Sequence, residues 1–134
     1  MRRTCLASVY ELAQHDERIV FIGSDLGPGV LDEMKTEMPG RWFMEGVSEQ
    51  NMIGIAAGMA AKGKTVFAHT MANFLTLRAC EMIRNDIVYN RFNAKIVSSY
   101  ASVLGGPWGS THHGLEDVGV MRTIPGMTIV VPAD

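Results

Sequence analysis

Phe43-Met44-Glu45-Gly46-Val47-Ser48-Glu49-Gln50-Asn51 reads as the end of a strand, a tight turn and the opening of a helix. Trp42 to Met44 are β-prone, Gly46 supplies the turn, and Ser48 stands where a helix N-cap is expected. From Asn51 to Ala61 nearly every residue is apolar and many are small, the pattern of a helix buried all round. Glu49 therefore falls in the first turn of that helix, beyond the carboxyl end of a strand, where open α/β sheets place their ligands. A carboxylate there feels two opposed influences. The helix N-terminus favours its charged form, and burial favours its neutral form. On the residues alone, Glu49 is either a side chain that complements the helix dipole or an acid able to share a proton with a ring nitrogen.

Outward from this run, helical and extended patterns alternate. Upstream, residues 4–14 carry a helical stripe (Leu6, Val9, Tyr10, Leu12, Ala13), and 18–23 form a short apolar run suited to a strand buried on both faces. A loop at 24–29 leads to a short helix at 30–38, closed by Pro39-Gly40, and then to the strand at 41–44. Downstream of the helix at 49–62, strands are expected at 65–68, 94–98 and 127–131, and helices at 73–89 and 115–124. Residues 100–113 form a Gly-rich loop. This alternation predicts one α/β domain over 1–134, a mostly parallel sheet with helices on both faces. The sequence ends at Pro132-Ala133-Asp134, directly after a predicted strand, as at a natural split or at a cut within a longer chain.

The 134 residues are 47% hydrophobic and 19% charged, with a formal net charge of −2, the composition of a soluble globular domain. That charge offers no electrostatic case for nucleic acid or an anionic membrane, and the apolar runs fall short of the roughly 20 residues of a membrane span. Cys5 and Cys80 are too few for a disulfide framework or a zinc site and are expected as buried, reduced thiols. Together with the absence of a signal-peptide pattern behind Arg2 and Arg3, they point to the cytoplasm.

One motif misleads. Gly58-Met59-Ala60-Ala61-Lys62-Gly63-Lys64-Thr65 matches the G-x-x-x-x-G-K-[ST] pattern, but phosphate binding needs that loop to run from strand into helix. Here Gly58 lies within a helix and Thr65 opens a strand, so Gly63 is expected as the helix C-cap. Adjacent His112 and His113 suggest a metal site only weakly, since neighbouring side chains diverge and no third ligand has suitable spacing.

The run Gly46-Val47-Ser48-Glu49-Gln50-Asn51 resembles the pyrimidine-binding (PYR) domain of the transketolase family of thiamine-diphosphate enzymes, where a Gly-Val-x-Glu-x-Asn type segment carries the glutamate that binds N1′ of the aminopyrimidine. Three further stretches extend the likeness over most of the chain. Residues 67–78 resemble the family's aromatic segment, with Phe74 matching a ring that packs on the aminopyrimidine and Met71 and Leu77 standing where transketolases often have Phe and Tyr. Residues 105–117 resemble the Gly-x-x-Gly-x-Thr-His-Gln loop, so that His112 matches the histidine that reaches the reacting centre. Residues 120–134 resemble a structural Leu-Arg-x-Ile-Pro-x-Met…Pro-x-Asp run.

The resemblance implies thiamine diphosphate as cofactor, with Glu49 holding a proton on N1′, and a two-carbon ketol transfer between sugar phosphates or related substrates. It implies Asp25 as a residue lining the substrate channel; His69, at a strand end where the family often has small polar residues, is a candidate substrate ligand on its own chemistry. Each also has a plainer reading: an Asp-stabilised turn for Asp25, a hydrogen-bonded histidine for His69, and core side chains for Phe74 and Met71. Arg78 is expected to pair with Glu81, with Asp86 or with a carboxylate across an interface. The chain departs from the pattern at Pro107 and Trp108, where transketolases have an acidic pair, at Tyr100 and Ala101 in place of His-Asp, and at His113 in place of Gln. Those positions recognise sugar hydroxyls in transketolases, so Trp108 is expected to cap a smaller or less polar acceptor pocket. No Gly-Asp-Gly…Asn motif occurs, which implies that a separate diphosphate-binding subunit holds the diphosphate and Mg²⁺. Family architecture further implies a homodimer contact between PYR domains, for which Gly54, Ala57, Gly58 and Ala61 form a small-residue face; those residues equally suit close packing on their own sheet. The alternatives are a deoxyxylulose-phosphate-synthase-like protein, a 2-oxo-acid dehydrogenase beta subunit, and a non-catalytic interaction domain.

Overall fold

The computed structural model describes residues 1–24, 29 and 31–132. Asp25 lies outside the described residues. In chain order the elements are α1 (Arg2–His15), β1 (Ile19–Gly23), α2 (Asp32–Glu37), β2 (Trp42–Met44), α3 (Glu49–Ala61), β3 (Thr65–Met71), α4 (Cys80–Met82), β4 (Ala94–Ser99) and α5 (Asp117–Met121). The strands form one four-stranded sheet, ordered β2-β1-β3-β4, with every pair parallel.

β1 shows why both faces are covered. All five of its residues are buried. Alternate side chains point to opposite faces: Ile19 and Phe21 join Leu6, Val9 and Ala13 of α1 and Met34 of α2, while Val20 and Ile22 join Met52, Ile53 and Ala56 of α3, together with Leu75 and Ile83. The register sets Gly23 beside both Met44 and His69, so the carboxyl ends of β2 and β1 finish level while β3 runs two residues further, to Met71. The loops that follow them gather at one edge of the sheet, the edge that positions the site.

Four expectations need correction. The residues predicted as a fifth strand at 127–131 make no ladder; Met127 and Ile129 lean on the core while Val130 and Val131 are exposed. Alternating burial there reflects an extended segment lying on the domain without a strand partner among the described residues. The long helix predicted over 73–89 is instead two π-helical turns, Phe74–Arg78 and Ile83–Val88, on either side of α4. The Thr76 hydroxyl donates to the Ala72 carbonyl at 2.7 Å, a side-chain bond that competes with the regular ladder. α3 is not buried all round: Asn51, Gly54, Gly58 and Ala61 are exposed and only Ala57 of the small-residue face is buried, so Gly54, Gly58 and Ala61 do not pack on their own sheet. Cys5 is exposed and Cys80 half-buried, and both are free thiols.

α3 ends as expected. Gly63 adopts φ +84°, its N–H donates to Ala60 and the Lys64 N–H donates to Met59, a Schellman closure that only a left-handed residue completes easily. Gly58 is inside α3 and Thr65 opens β3, so the nucleotide-loop pattern carries no phosphate cradle. No helix among the described residues is long and apolar enough to cross a membrane.

Candidate active site

Gly46 takes φ +68°, which turns the chain out of β2, and the Glu45 N–H donates to the Gly23 carbonyl at 2.9 Å, tying that turn to the end of β1. Ser48 does occupy the N-cap position of α3, but its hydroxyl does not cap. It donates back to the Glu45 carbonyl at 3.0 Å and so stiffens the turn instead. This geometry delivers Glu49, 1% exposed, to the buried start of α3.

Both carboxylate oxygens of Glu49 are engaged. Oε1 accepts from the Ser24 hydroxyl at 2.8 Å. Oε2 accepts from Arg78 Nη1 at 2.5 Å. Ser24 is itself buried and held, its N–H donating to the His69 carbonyl and its own carbonyl accepting from the Thr70 hydroxyl, each at 3.3 Å. Burial is the largest single influence on the Glu49 carboxyl and pushes its pKa up. The Ser24 hydroxyl, its own backbone N–H and the Arg78 cation act the other way and together hold it below the ordinary 4.5. That net lowering favours the ionised carboxylate at neutral pH.

From Glu49 a row of flat groups crosses the sheet edge. The Arg78 guanidinium lies 4.6 Å over the Phe74 ring. Phe74 meets His112 edge-on, with centroids 5.1 Å apart and planes at 72°. Trp108 lies 5.7 Å from His112, and Tyr100 lies 5.5 Å from Trp108. Arg2 closes the row, 5.2 Å over Tyr100 and donating to its hydroxyl at 2.6 Å. Tyr100 and Ser102 hold φ of 56° and 59°, conformations that bulky or branched side chains rarely adopt and that cluster at functional loops.

The loop that carries His112 is pinned from below. Asn73, which is buried, donates through Nδ2 to the Thr111 carbonyl at 2.6 Å. Ser102 and Gly114 exchange backbone hydrogen bonds at 2.6 and 2.9 Å. Gly105 permits the tightest approach: a Cβ there would stand 2.8 Å from the His112 carbonyl oxygen. Since that neighbour is backbone, Gly105→Ala must move the loop. The expected result is a loss of about 1–3 kcal/mol in urea unfolding, accompanied by a fall in whatever activity His112 supports; a variant as stable and active as the parent would refute this role.

The structure therefore unites Glu49, Phe74, His112 and Trp108 in one row, and adds Arg78, Ser24, Asn73 and Tyr100. Leu77 is 41% exposed and lines a surface groove with Gln50, Arg78 and Glu81. Met71, at the end of β3, is half-buried. His69 pairs in register with Gly23 beside the Phe21–Phe67 pair, which puts its side chain on the α1 face of the sheet, away from α3. Its ring lies 6.3 Å from Phe21, and Nδ1 meets the Val97 carbonyl at 2.7 Å. A carbonyl only accepts, so Nδ1 carries the hydrogen, and the buried Nε2 has no partner among the described residues. Burial pushes the His69 pKa below 6.5. Between that lowered value and 6.5 the unfolded chain binds a proton that the folded one refuses, so stability is expected to decline as pH falls through 6.5. Urea unfolding at pH 7 and pH 5 checks this: His69→Gln, which does not titrate, should show the smaller decline.

Arg78, expected to pair with Glu81, Asp86 or a carboxylate across an interface, instead pairs with Glu49, 29 residues away across the fold. Ser24 carried no signal beyond its place after a strand.

The family model for the transketolase pyrimidine-binding domain matches residues 1–134. A 6-deoxy-6-sulfo-D-fructose transketolase subunit, SqwH, of Clostridium sp. (strain MSTE9) is 40% identical over 135 residues, covering 100% of this chain and 42% of the relative. An apulose-4-phosphate transketolase subunit of Phocaeicola vulgatus is 38% identical over 134 residues, covering 99% of this chain and 43% of the relative. A solved chain described as a split gene transketolase, inactive beta4 tetramer, superposes with a TM-score of 0.85 at 37% identity, over 99% of this chain and 43% of that one. The chain thus spans less than half the length of the proteins it matches. With the family model matched from end to end and the parallel sheet shared with a solved relative, the chain belongs to the transketolase pyrimidine-binding domain family.

Proposed function

We propose that this chain supplies the aminopyrimidine side of a thiamine-diphosphate site in a transketolase-type enzyme that transfers a two-carbon ketol unit. The observation that carries the reading is the buried Glu49 carboxylate, joined through Arg78 to the Phe74 ring, at the sheet edge where open α/β folds bind ligands. The donor set suits the cofactor's ring: a planar group that donates an N–H to Oε2 and lies over Phe74 already finds room there, in the form of the Arg78 guanidinium. Bound thiamine diphosphate supplies the carbanion chemistry at its thiazolium. Glu49 holds a proton at N1′ of the pyrimidine, and Phe74, with Met71 and Leu77 around it, forms the apolar slot. His112, across Phe74, is placed to hydrogen-bond or pass a proton to a substrate oxygen. Trp108 and Tyr100, where transketolases carry acidic and His-Asp residues, bound the acceptor side and favour an acceptor other than an ordinary pentose phosphate. Asp25 stays on the substrate side of this proposal, whereas His69, whose ring lies on the α1 face, meets the site only through its backbone carbonyl, which accepts from the Ser24 N–H.

The diphosphate and Mg²⁺ belong, in this reading, to a partner subunit. Relatives named as subunits, and one chain described as an inactive tetramer of its kind, support that division. The exposed Gly54, Gly58 and Ala61 on α3 suit a contact between two such domains. The free thiols suit the cytoplasm. The test is calorimetry with thiamine diphosphate and Mg²⁺ on the full-length protein mixed with the diphosphate-domain subunit encoded beside it. Binding is expected only in the mixture and is expected to be weakened by Glu49→Ala; equal binding by that variant would overturn the assignment.

A further inference from the structure

Arg78 does two things that the aminopyrimidine must also do. It gives an N–H to Glu49 Oε2 at 2.5 Å, and its guanidinium carbon stands 4.6 Å over the centre of the Phe74 ring. A guanidinium is planar, delocalised and weakly hydrated, which makes it a fair mimic of a small aminated heterocycle. Two groups cannot both cover the same face of that ring while bonding Oε2 from the same side. We propose that Arg78 occupies the aminopyrimidine's seat in the ring-free protein, and that the ring enters by exchanging places with it.

This inference rests on the reading of Glu49 as the ring's partner and adds a residue that the reading does not need. Three observations support it. The Glu49 side chain is 1% exposed whereas that of Arg78 is 43% exposed, so the cation has a way out and the carboxylate does not. A buried carboxylate left without its partner is costly, so an empty seat needs an occupant. The groove that Arg78 lines is lined also by Gln50, Glu81 and Arg84, and Glu81 is a second carboxylate within it. The exchange has a chemical result as well. Once the guanidinium leaves, Ser24 and the backbone N–H remain as partners of Glu49, burial is less opposed, and the carboxyl becomes a better holder of a proton at the moment the ring arrives.

The test measures cofactor entry in the full-length protein with its diphosphate-binding partner, by stopped-flow tryptophan fluorescence and calorimetry, using thiamine diphosphate with Mg²⁺ and, separately, inorganic pyrophosphate with Mg²⁺. Arg78→Met removes the occupant and is expected to bind thiamine diphosphate about tenfold more tightly, with faster association, because the competent state no longer has to be freed first. Its pyrophosphate affinity is expected to be unchanged. Arg78→Lys, which pairs with a carboxylate but cannot lie flat on a ring, is expected between the two and decides the matter should the Met variant fail to fold. Carboxyl NMR is expected to show Glu49 titrating at higher pH in Arg78→Met than in the parent without cofactor, and alike in both with it. Arg78→Met binding no faster or more weakly than the parent, while Glu49→Ala still loses binding, overturns the exchange and leaves Glu49 as the ring's partner. Glu49→Ala binding like the parent overturns both.

Discussion

Glu49→Gln is expected to fold and to lose nearly all proton exchange at C2 of bound thiamine diphosphate, a fall of about 10²–10⁴-fold. The amide fills the same space and still offers its oxygen to the Ser24 hydroxyl, 2.8 Å from the carboxylate it replaces. What it cannot do is carry a negative charge that steadies a proton on a ring nitrogen. The Arg78 cation loses its partner in this variant, but its head group is 43% exposed and can be solvated, so stability should suffer little from that side. Deuterium exchange followed by proton NMR in the assembled enzyme makes the measurement. Exchange at the parent's rate would remove Glu49 from the chemistry. Glu49→Ala is the harsher companion: it empties a buried position and should also lower stability. The folded carboxyl sits below its ordinary 4.5, so the stability that Glu49 contributes is present above that pH and is lost as pH falls through the folded value. The alanine variant should therefore lack that part of the parent's acid sensitivity.

His112→Ala is expected to leave C2 exchange intact while slowing ketol transfer by about 10²-fold. The separation follows from position. Glu49 meets the row at the Arg78 end, whereas His112 lies beyond Phe74, edge-on at 5.1 Å, with Trp108 on its other side. On the proposed function, a group placed there serves a substrate oxygen rather than the pyrimidine. Its Nδ1 lies 2.9 Å from the Thr111 hydroxyl, and Thr111 is in turn held by Asn73, so the ring is oriented from within the loop. His112→Gln, which keeps a hydrogen-bonding group, should recover part of the transfer rate. A loss of C2 exchange as large as the loss of transfer would make His112 a packing element of the cofactor slot instead.

What could be read from sequence divides along a physical line. The alternation of short apolar runs with helical stripes gave the parallel sheet and its two covered faces, because burial on both sides of a strand leaves an unbroken apolar run such as 19–22. The Gly46 turn and the Gly63 helix end were legible because positive φ is a local demand of the backbone. Glu49 could be placed at a helix entrance, but its charge state could not, since that depended on a serine 25 residues before it and an arginine 29 residues after it. The π-helical turns were invisible to a reading of periodicity, which assumes one pitch for the whole segment. The predicted strand at 127–131 failed for a related reason: alternating burial marks an extended chain, but only a neighbour's backbone makes it a strand. The small-residue face of α3 was seen in outline, and the fold turns three of its four residues outward rather than onto the sheet.

The two bonds of the Glu49 carboxylate join three separated lengths of chain: the exit from β1, the start of α3 and the turn at Phe74–Arg78. A side chain assigned to a reaction is thus also a rivet of the architecture. Amide hydrogens near Ser24, Glu49 and Arg78 should open to solvent as one cooperative patch, and engineering for durability at any one of the three will be felt as altered catalysis at the others.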